Sequence, residues 1–271
     1  MVGRLAAGII VIPNNLMSQR LKAMAHSKSA SMLILCLMVF PSDIWCAEKE
    51  IEIGTILSNY VWRGIRLSEG PAYQSSVTVA SRGFSLNVWG NFDFNSGRFN
   101  ETDLTFSYGR DLKKLSVETG LIHYGIIDGH DSDEMYAGLT ADFPLEPSLK
   151  AFFDINAGKG AFLQASAGHS MELSSRFSLE LKASLGIVFH NSFMGKPDSD
   201  QEFTGLHNAE VSAICPVRLG KGWDAKLQAG ASTALSRNSR QAIVNGSVCQ
   251  PGRRLCNGTI VWGGASLVYS F

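Results

Sequence analysis

The chain has 271 residues, of which 45% are hydrophobic, and its formal net charge at pH 7 is +0. The balanced charge, without a block of Lys and Arg, offers no basic surface of the kind that a nucleic-acid backbone requires. Beyond the amino terminus, no apolar run approaches the ~20 residues that a spanning helix needs, so any membrane crossing must be made by strands.

The amino-terminal region has the pattern of a secretory signal. Lys28 lies in a short basic start, an apolar core covers 32–40, and a small residue, Ala47, follows it. Cleavage after either Cys46 or Ala47 fits this pattern. We therefore take 1–47 as the signal region and expect an exported protein.

The remaining residues, 48–271, form the predicted folded domain, while 1–23 are interpreted as an upstream start that adds nothing to the signal. Export makes the redox state of the cysteines relevant. Cys249 and Cys256 flank a short Pro-Gly segment, and in an oxidising compartment we expect a disulfide between them. Cys215 is then left single, as a small apolar side chain on a strand.

Apolar and polar residues alternate with a period of two through this domain, so that the two sets project to opposite faces of each strand. The pattern predicts about twelve strands of the ~10-residue length that a tilted membrane strand needs. We place them at 50–62, 74–81, 84–94, 103–110, 115–124, 134–143, 149–157, 161–171, 177–190, 206–215, 223–232 and 259–271.

The last segment and the connections both favour a membrane barrel. Val261, Leu267 and Phe271 share one face of the final strand and Ser266 the other, as in bilayer-spanning barrels. Connections alternate between short, near 82–83, 111–114, 144–148, 174–176 and 216–222, and long, near 63–72, 125–133, 191–204 and 236–258. The tight turn at 159–160 departs from this alternation. We predict an all-β fold, a transmembrane antiparallel up-and-down β-barrel with short periplasmic turns and longer outer loops; the rival is a secreted sandwich or soluble barrel.

Two stretches near the first loop carry a family resemblance. Residues 58–65 read Ser-Asn-Tyr-Val-Trp-Arg-Gly-Ile, and 68–74 read Ser-Glu-Gly-Pro-Ala-Tyr-Gln. This opening resembles that of the TorF-type porins, a bacterial outer-membrane family of largely unknown function, with Asn59 where Asp is usual. The resemblance implies a porin-like outer-membrane barrel and brings neither a substrate nor catalytic residues.

A barrel of this size implies a narrow lumen that passes ions or small polar solutes. Tyr60, Trp62 and Arg63 are candidates for the pore mouth, where Arg63 would act on anions or on a lipopolysaccharide phosphate. The alternative is that the aromatic residues anchor the membrane interface and Arg63 shapes the loop. The candidate lumen charges are of both signs, so they predict no strong charge preference: Glu118, Asp154, Glu180, Lys150, Lys182 and Lys226.

An outer-membrane lipid-modifying enzyme is the competing class, and we expect no enzyme. His169 and Ser170 are neighbours on one strand, so they point to opposite faces and do not pair as base and nucleophile. His123 and His207 have the parity of the lipid-facing residues.

The remaining candidates lie in loops. Asp128, Asp131, Asp133 and Glu134 offer oxygen ligands for Ca²⁺, although we favour a solvated acidic loop as their explanation. Loop 236–258 would serve surface recognition in a non-conducting barrel, or fold inward and constrict the pore. We expect no cofactor, and as partners outer-membrane lipid, lipopolysaccharide and the barrel assembly machinery, the last through the C-terminal strand.

Overall fold

A computed structural model describes residues 48–127, 129–197, 202–248 and 257–271. Within these residues, twelve antiparallel strands close into a barrel, with a short two-stranded hairpin beside them. The barrel strands are β1 (Glu48–Leu57), β4 (Ala72–Ser81), β5 (Phe84–Asp93), β6 (Arg98–Leu112), β7 (Leu115–Ile126), β8 (Ser132–Ala141), β9 (Ser148–Asp154), β10 (Ala161–Glu172), β11 (Ser178–Phe189), β12 (Thr204–Gly220), β13 (Trp223–Ala234) and β14 (Thr259–Ser270). The hairpin strands are β2 (Val61–Trp62) and β3 (Ile65–Arg66); a 3₁₀ helix covers Ser192–Met194, and α1 covers Arg237–Gly246.

Each barrel strand pairs with its neighbours in chain order, and β1 closes the barrel against β14. In this seam Glu50 pairs with Ser270 and Leu57 with Gly264. Closure pairs the free edges of β1 and β14, so that the backbone N–H and C=O groups of both strands are hydrogen-bonded. Strands that lie in lipid require this. The predicted fold class, including the strand number, is confirmed.

The outside of the barrel is apolar. Ile56, Val211, Leu227 and Val261 all project outward with large exposed fractions. Cys215 shares this face, because it pairs in register with Leu227. Polar residues occupy the alternate, inward positions, so this barrel has the reverse of a soluble barrel's pattern.

Aromatic rings collect on the outside at both ends of the strands. At one end Phe84 packs against Tyr108 at 4.8 Å between ring centroids, and Trp223 against Tyr269 at the same distance. At the other end Phe92 contacts Phe99 at 5.3 Å. Two aromatic belts of this kind mark the levels where a bilayer meets water.

The connections differ between the two ends. We name the turn end for the short connections at 82–83, 113–114, 142–147, 173–177 and 221–222, and the loop end for those at 58–71, 94–97, 127–131, 155–160, 190–203 and 235–258. The predicted long connections are present at 58–71, 190–203 and 235–258, whereas 94–97, 127–131 and 155–160 are no longer than the turn 142–147.

The first strand is shorter than predicted. It ends at Leu57 instead of reaching Trp62, and Trp62 lies in the β2–β3 hairpin instead. The apolar residues past Leu57 belong to the hairpin, which buries Ile65. Alternation alone does not distinguish the end of a barrel strand from a hairpin that folds inward.

Among the described residues, no helix is long and apolar enough to cross a membrane.

Candidate functional site

The β2–β3 hairpin turns at Arg63 and Gly64, whose φ angles are 49° and 84°. Trp62 pairs with Ile65 across this two-residue loop. Two positive φ values in succession define the tight hairpin turn in which Gly is preferred. A Cβ atom on Gly64 would lie 3.0 Å from Cβ of Asn208, so the turn packs directly against β12.

The Arg63 side chain is buried and contacts both a carboxylate and aromatic rings. Its Nη1 and Nη2 atoms donate to Oε1 and Oε2 of Glu134 at 2.8 and 2.9 Å, and the Tyr124 hydroxyl donates to Oε2 at 2.8 Å. The guanidinium also lies over the rings of Phe152 and Phe162, 4.1 and 4.7 Å from their centroids. Only 7% of the Arg63 side chain and 1% of the Glu134 side chain are exposed. The predicted pore-mouth arginine is thus neutralised inside the barrel, where it fixes the hairpin to β8.

An apolar cluster fills the loop end of the barrel. Ile65 of the hairpin, Met194 of the 3₁₀ helix and Ile243 of α1 pack on Phe162 and Val188, which point inward from β10 and β11. All five side chains are buried almost completely. Three separate loops therefore contribute to one packed core; we name the hairpin, residues 190–197 and α1 together the loop plug.

Hydrogen bonds that involve backbone atoms join the parts of the loop plug. The Arg66 N–H donates to Oγ of Ser247 at 3.0 Å, and the Val248 N–H donates to the Arg66 carbonyl at 2.8 Å. The Asn245 side-chain amide donates to the Lys196 carbonyl at 2.8 Å. Ser247 and Val248, which follow α1, thus form hydrogen bonds with the backbone of β3. Movement of one loop therefore breaks contacts of the others.

Below the loop plug lies an acidic, aromatic section of the interior. Tyr60 packs on Trp89 at 5.6 Å and hydrogen-bonds Glu101, and Asp103 is the next inward residue of β6. Burial, together with the carboxylates of Glu101 and Asp103, raises the pKa of Tyr60. The hydroxyl therefore stays protonated and serves as a hydrogen-bond donor to Glu101.

His207 points inward, which contradicts its predicted lipid-facing parity. Between the pairs Leu185–Ala209 and Ile187–Leu206, both His207 and Asn208 oppose one residue of β11. This β-bulge turns His207 to the interior, where it lies between the rings of Phe162 and Phe203. Within the described ranges, no serine or carboxylate is bound to its ring nitrogens. His169 and Ser170 lie on opposite faces of β10, as predicted.

The predicted lumen charges differ in their surroundings. Lys150 donates to Glu118 at 2.6 Å, and the Tyr136 hydroxyl donates to the same carboxylate at 2.7 Å. Asp154 is buried and accepts hydrogen bonds from Ser132 and from the backbone N–H groups of 156, 158 and 159, so it holds the turn 155–160. The other three project inward from their strands: Glu180, Lys182 and Lys226.

The structure does not bring the acidic-loop candidates together. Asp131 accepts from the Ile126 N–H, Asp133 contacts His123, and Glu134 points inward to Arg63. In the described part of the chain, no group of three or more His, Cys, Asp or Glu side chains is placed to hold a metal ion. Asp128, the cysteines at 249 and 256, and the signal region all lie outside the described residues.

Solved structures share this fold. The chain is similar to the NanC porin, with 13% identity and a TM-score of 0.50, over 83% of this chain and 98% of that one. It also matches the KdgM porin in complex with disordered oligogalacturonate, with 11% identity and a TM-score of 0.49, over 83% and 99% of the two chains. At 13% identity, the likeness to the NanC porin shows the barrel fold alone. No protein-family model and no curated protein matches the chain.

Sequence reasoning missed the two features that organise this site. Glu134 appeared only as a candidate Ca²⁺ ligand, because nothing local links it to Arg63, 71 residues earlier. His207 was misplaced because a β-bulge leaves the alternation intact on both sides. A turn signal was available at Arg63-Gly64, since Gly after a polar residue between apolar ones is typical of a tight hairpin.

Proposed function

We propose that this chain is an outer-membrane, porin-like barrel through which ions or small polar solutes diffuse, and that the loop plug controls how readily they pass. The observation that supports this proposal is the inside-out pattern of a closed barrel, apolar outside and polar within. In this arrangement the turn end faces the periplasm and the loop end the exterior. The residues at 58–74 support assignment to the TorF-type porins.

The interior supports a path that is polar at the turn end and narrow at the loop end. Glu180 and Lys182 are exposed although they project inward, so water reaches them. The loop plug closes the opposite end with buried apolar side chains. Conduction therefore requires either a narrow gap beside the plug or its displacement.

Single-channel recording in a planar bilayer tests the proposal. The chain from Glu48 is compared with a variant in which 237–256 are replaced by a short Gly-Ser linker. We expect small discrete steps from the wild type and larger steps from the variant, because the linker removes α1 from the loop plug. Heat-modifiable migration in gel electrophoresis is the control for a folded barrel. Silence from both folded proteins would refute permeation.

A second candidate is a non-conducting barrel that acts through its outer loops. The loop plug favours it, because Ile65, Met194 and Ile243 pack together at the loop end and are almost completely buried. Silence of the linker variant would favour this candidate.

Under either proposal the protein is no enzyme, is exported through the signal at 1–47, and has its C-terminal strand recognised by the assembly machinery.

A further inference from the structure

Two glutamates on β1 lie in a row along the inner wall near the turn end. Glu50 and Glu52 pair with Thr78 and Ser76 of β4 on one side, and with Ser270 and Val268 of β14 on the other. Glu52 accepts a hydrogen bond from Thr55, and Glu50 is exposed. Neither carboxylate takes part in an ion pair of the described residues. We name Glu50 and Glu52 the glutamate row.

Solvent has access to this row. A recess of about 500 Å³ at the turn end is lined by Glu48, Glu50, Thr78 and Ser270, and also by Lys49, whose ammonium lies over the ring of Phe271. The negative charge of the row therefore acts on solutes that enter the barrel from this end, and is not neutralised by a neighbouring strand.

The acidic wall continues toward the loop end on β6. The strand neighbours of Glu101 are Asn91 and Ile126, and those of Asp103 are Trp89 and Tyr124. None of these four strand neighbours is basic. Closer to the loop end of the same wall, Asp93 of β5 pairs in register with Arg98 of β6.

Two basic side chains of the interior form ion pairs with other carboxylates, and two more lie near one. Arg63 binds Glu134, and Lys150 binds Glu118. Lys182 interacts electrostatically with Glu210. Lys226 lies two residues from Asp224 on the same face of β13. Glu50 and Glu52 lie outside these pairings.

We propose that the lumen takes cations, or small solutes with a basic group, and rejects anions, with the glutamate row as the selecting element at the turn end. Unpaired carboxylates along a narrow path favour cations, because their field acts at a short range that salt screens incompletely. This inference concerns the charge of the solute and rests on the proposed permeation function.

The reversal potential in a KCl gradient measures the preference. Wild type is expected to give a K⁺ to Cl⁻ permeability ratio above one, and Glu50→Gln with Glu52→Gln to lower that ratio by roughly threefold or more, since each carboxylate contributes a Coulomb term at close range. Glu146→Gln, the same charge change in the turn 142–147 outside the lumen, is the matched control. A wild-type ratio below one, or a ratio unaltered in the double variant, overturns the proposal.

A second measurement does not depend on conduction. It therefore distinguishes failure of the charge-preference proposal from failure of the permeation proposal. Ser270→Cys, in a Cys215→Ala background, places a thiol at an exposed position in register with Glu50. Its labelling rate by a cationic methanethiosulfonate is compared with that by an anionic one, by mass spectrometry at that site. After correction for intrinsic reactivity, we expect the cationic reagent to be favoured by roughly fivefold, and the preference to fall toward one in the double variant. Equal rates in wild type overturn the proposal, whereas a cationic preference in a silent barrel refutes permeation alone.

Discussion

Arg63 and Glu134 form a bidentate ion pair inside the barrel, with N–O distances of 2.8 and 2.9 Å, and join the tip of the first loop to β8. The pair is shielded by the rings around it, of which Trp62 lies 4.5 Å from the guanidinium. A charged pair at such depth holds its loop strongly, because separating the partners leaves one buried charge uncompensated.

Replacement of Arg63 by Ala is expected to release the hairpin. Glu134 would lose its buried partner, at a cost of about 3 to 5 kcal/mol to the closed arrangement of the loop plug. Amide hydrogen exchange of 60–67 should accelerate and single-channel conductance should rise. The double variant Arg63→Met with Glu134→Leu removes both charges and should exchange more slowly than the single variant. Equal exchange in wild type and Arg63→Ala would contradict the role given to this pair.

Replacement of Gly195 by Ala tests the contact between the loop 190–203 and α1. A Cβ atom there would overlap the Ala242 carbonyl, which is backbone and cannot rotate away. Gly97→Ala is the control, because Gly97 also has a positive φ, 68° against 78°, but nothing within 4 Å of its added Cβ. We expect protease cleavage in α1 to increase in Gly195→Ala only. Similar cleavage in both variants would attribute the effect to backbone strain.

A pair of lysine substitutions on β13 tests which face meets lipid. Leu227 projects outward and Gln228 inward on adjacent positions. Leu227→Lys should destabilise the barrel in a bilayer by about 2 to 4 kcal/mol if it lies near the midplane, because the ammonium would enter hydrocarbon. Gln228→Lys should fold like wild type. Denaturant titration in lipid vesicles measures both, and equal stability would favour a soluble barrel.

Replacement of Asp154 by Ala separates a structural carboxylate from a lumen charge. Its oxygens accept from Ser132 and from three backbone N–H groups of the turn 155–160. Loss of these bonds should cost about 1 to 3 kcal/mol locally and speed hydrogen exchange of that turn. The reversal potential should stay unchanged, whereas Glu180→Ala, at an exposed inward position, should shift it. A large shift in Asp154→Ala would place this carboxylate in the conduction path.

The barrel was predictable because its signal is local. Alternation of period two, turn residues and strand length each act over a few residues, and together they gave the strand number, the outward face and both kinds of connection. Val261 and Leu267 project outward on β14 as predicted, and Phe271, which follows the strand, stacks on Tyr269. Each of these inferences needs no knowledge of which distant residue lies opposite.

The loop plug was not predictable in the same way. Ile65, Met194 and Ile243 come from three loops, and only the closed barrel brings them together. The same holds for Arg63, whose partner Glu134 is 71 residues away, so the sequence left open whether Arg63 acts at the pore mouth or shapes the loop. The charge balance of the lumen depends likewise on which carboxylates the interior cations have already taken.

The seam between β1 and β14 also constrains how the barrel is made. Its partners, such as Glu50 and Ser270, lie near opposite ends of the folded domain, so this strand pairing spans the largest sequence separation among the described strands and should form slowly. Until β14 has paired with β1, one edge of β1 has free backbone groups and is able to pair with another chain. A truncated or stalled chain therefore carries an aggregation hazard that the finished barrel lacks.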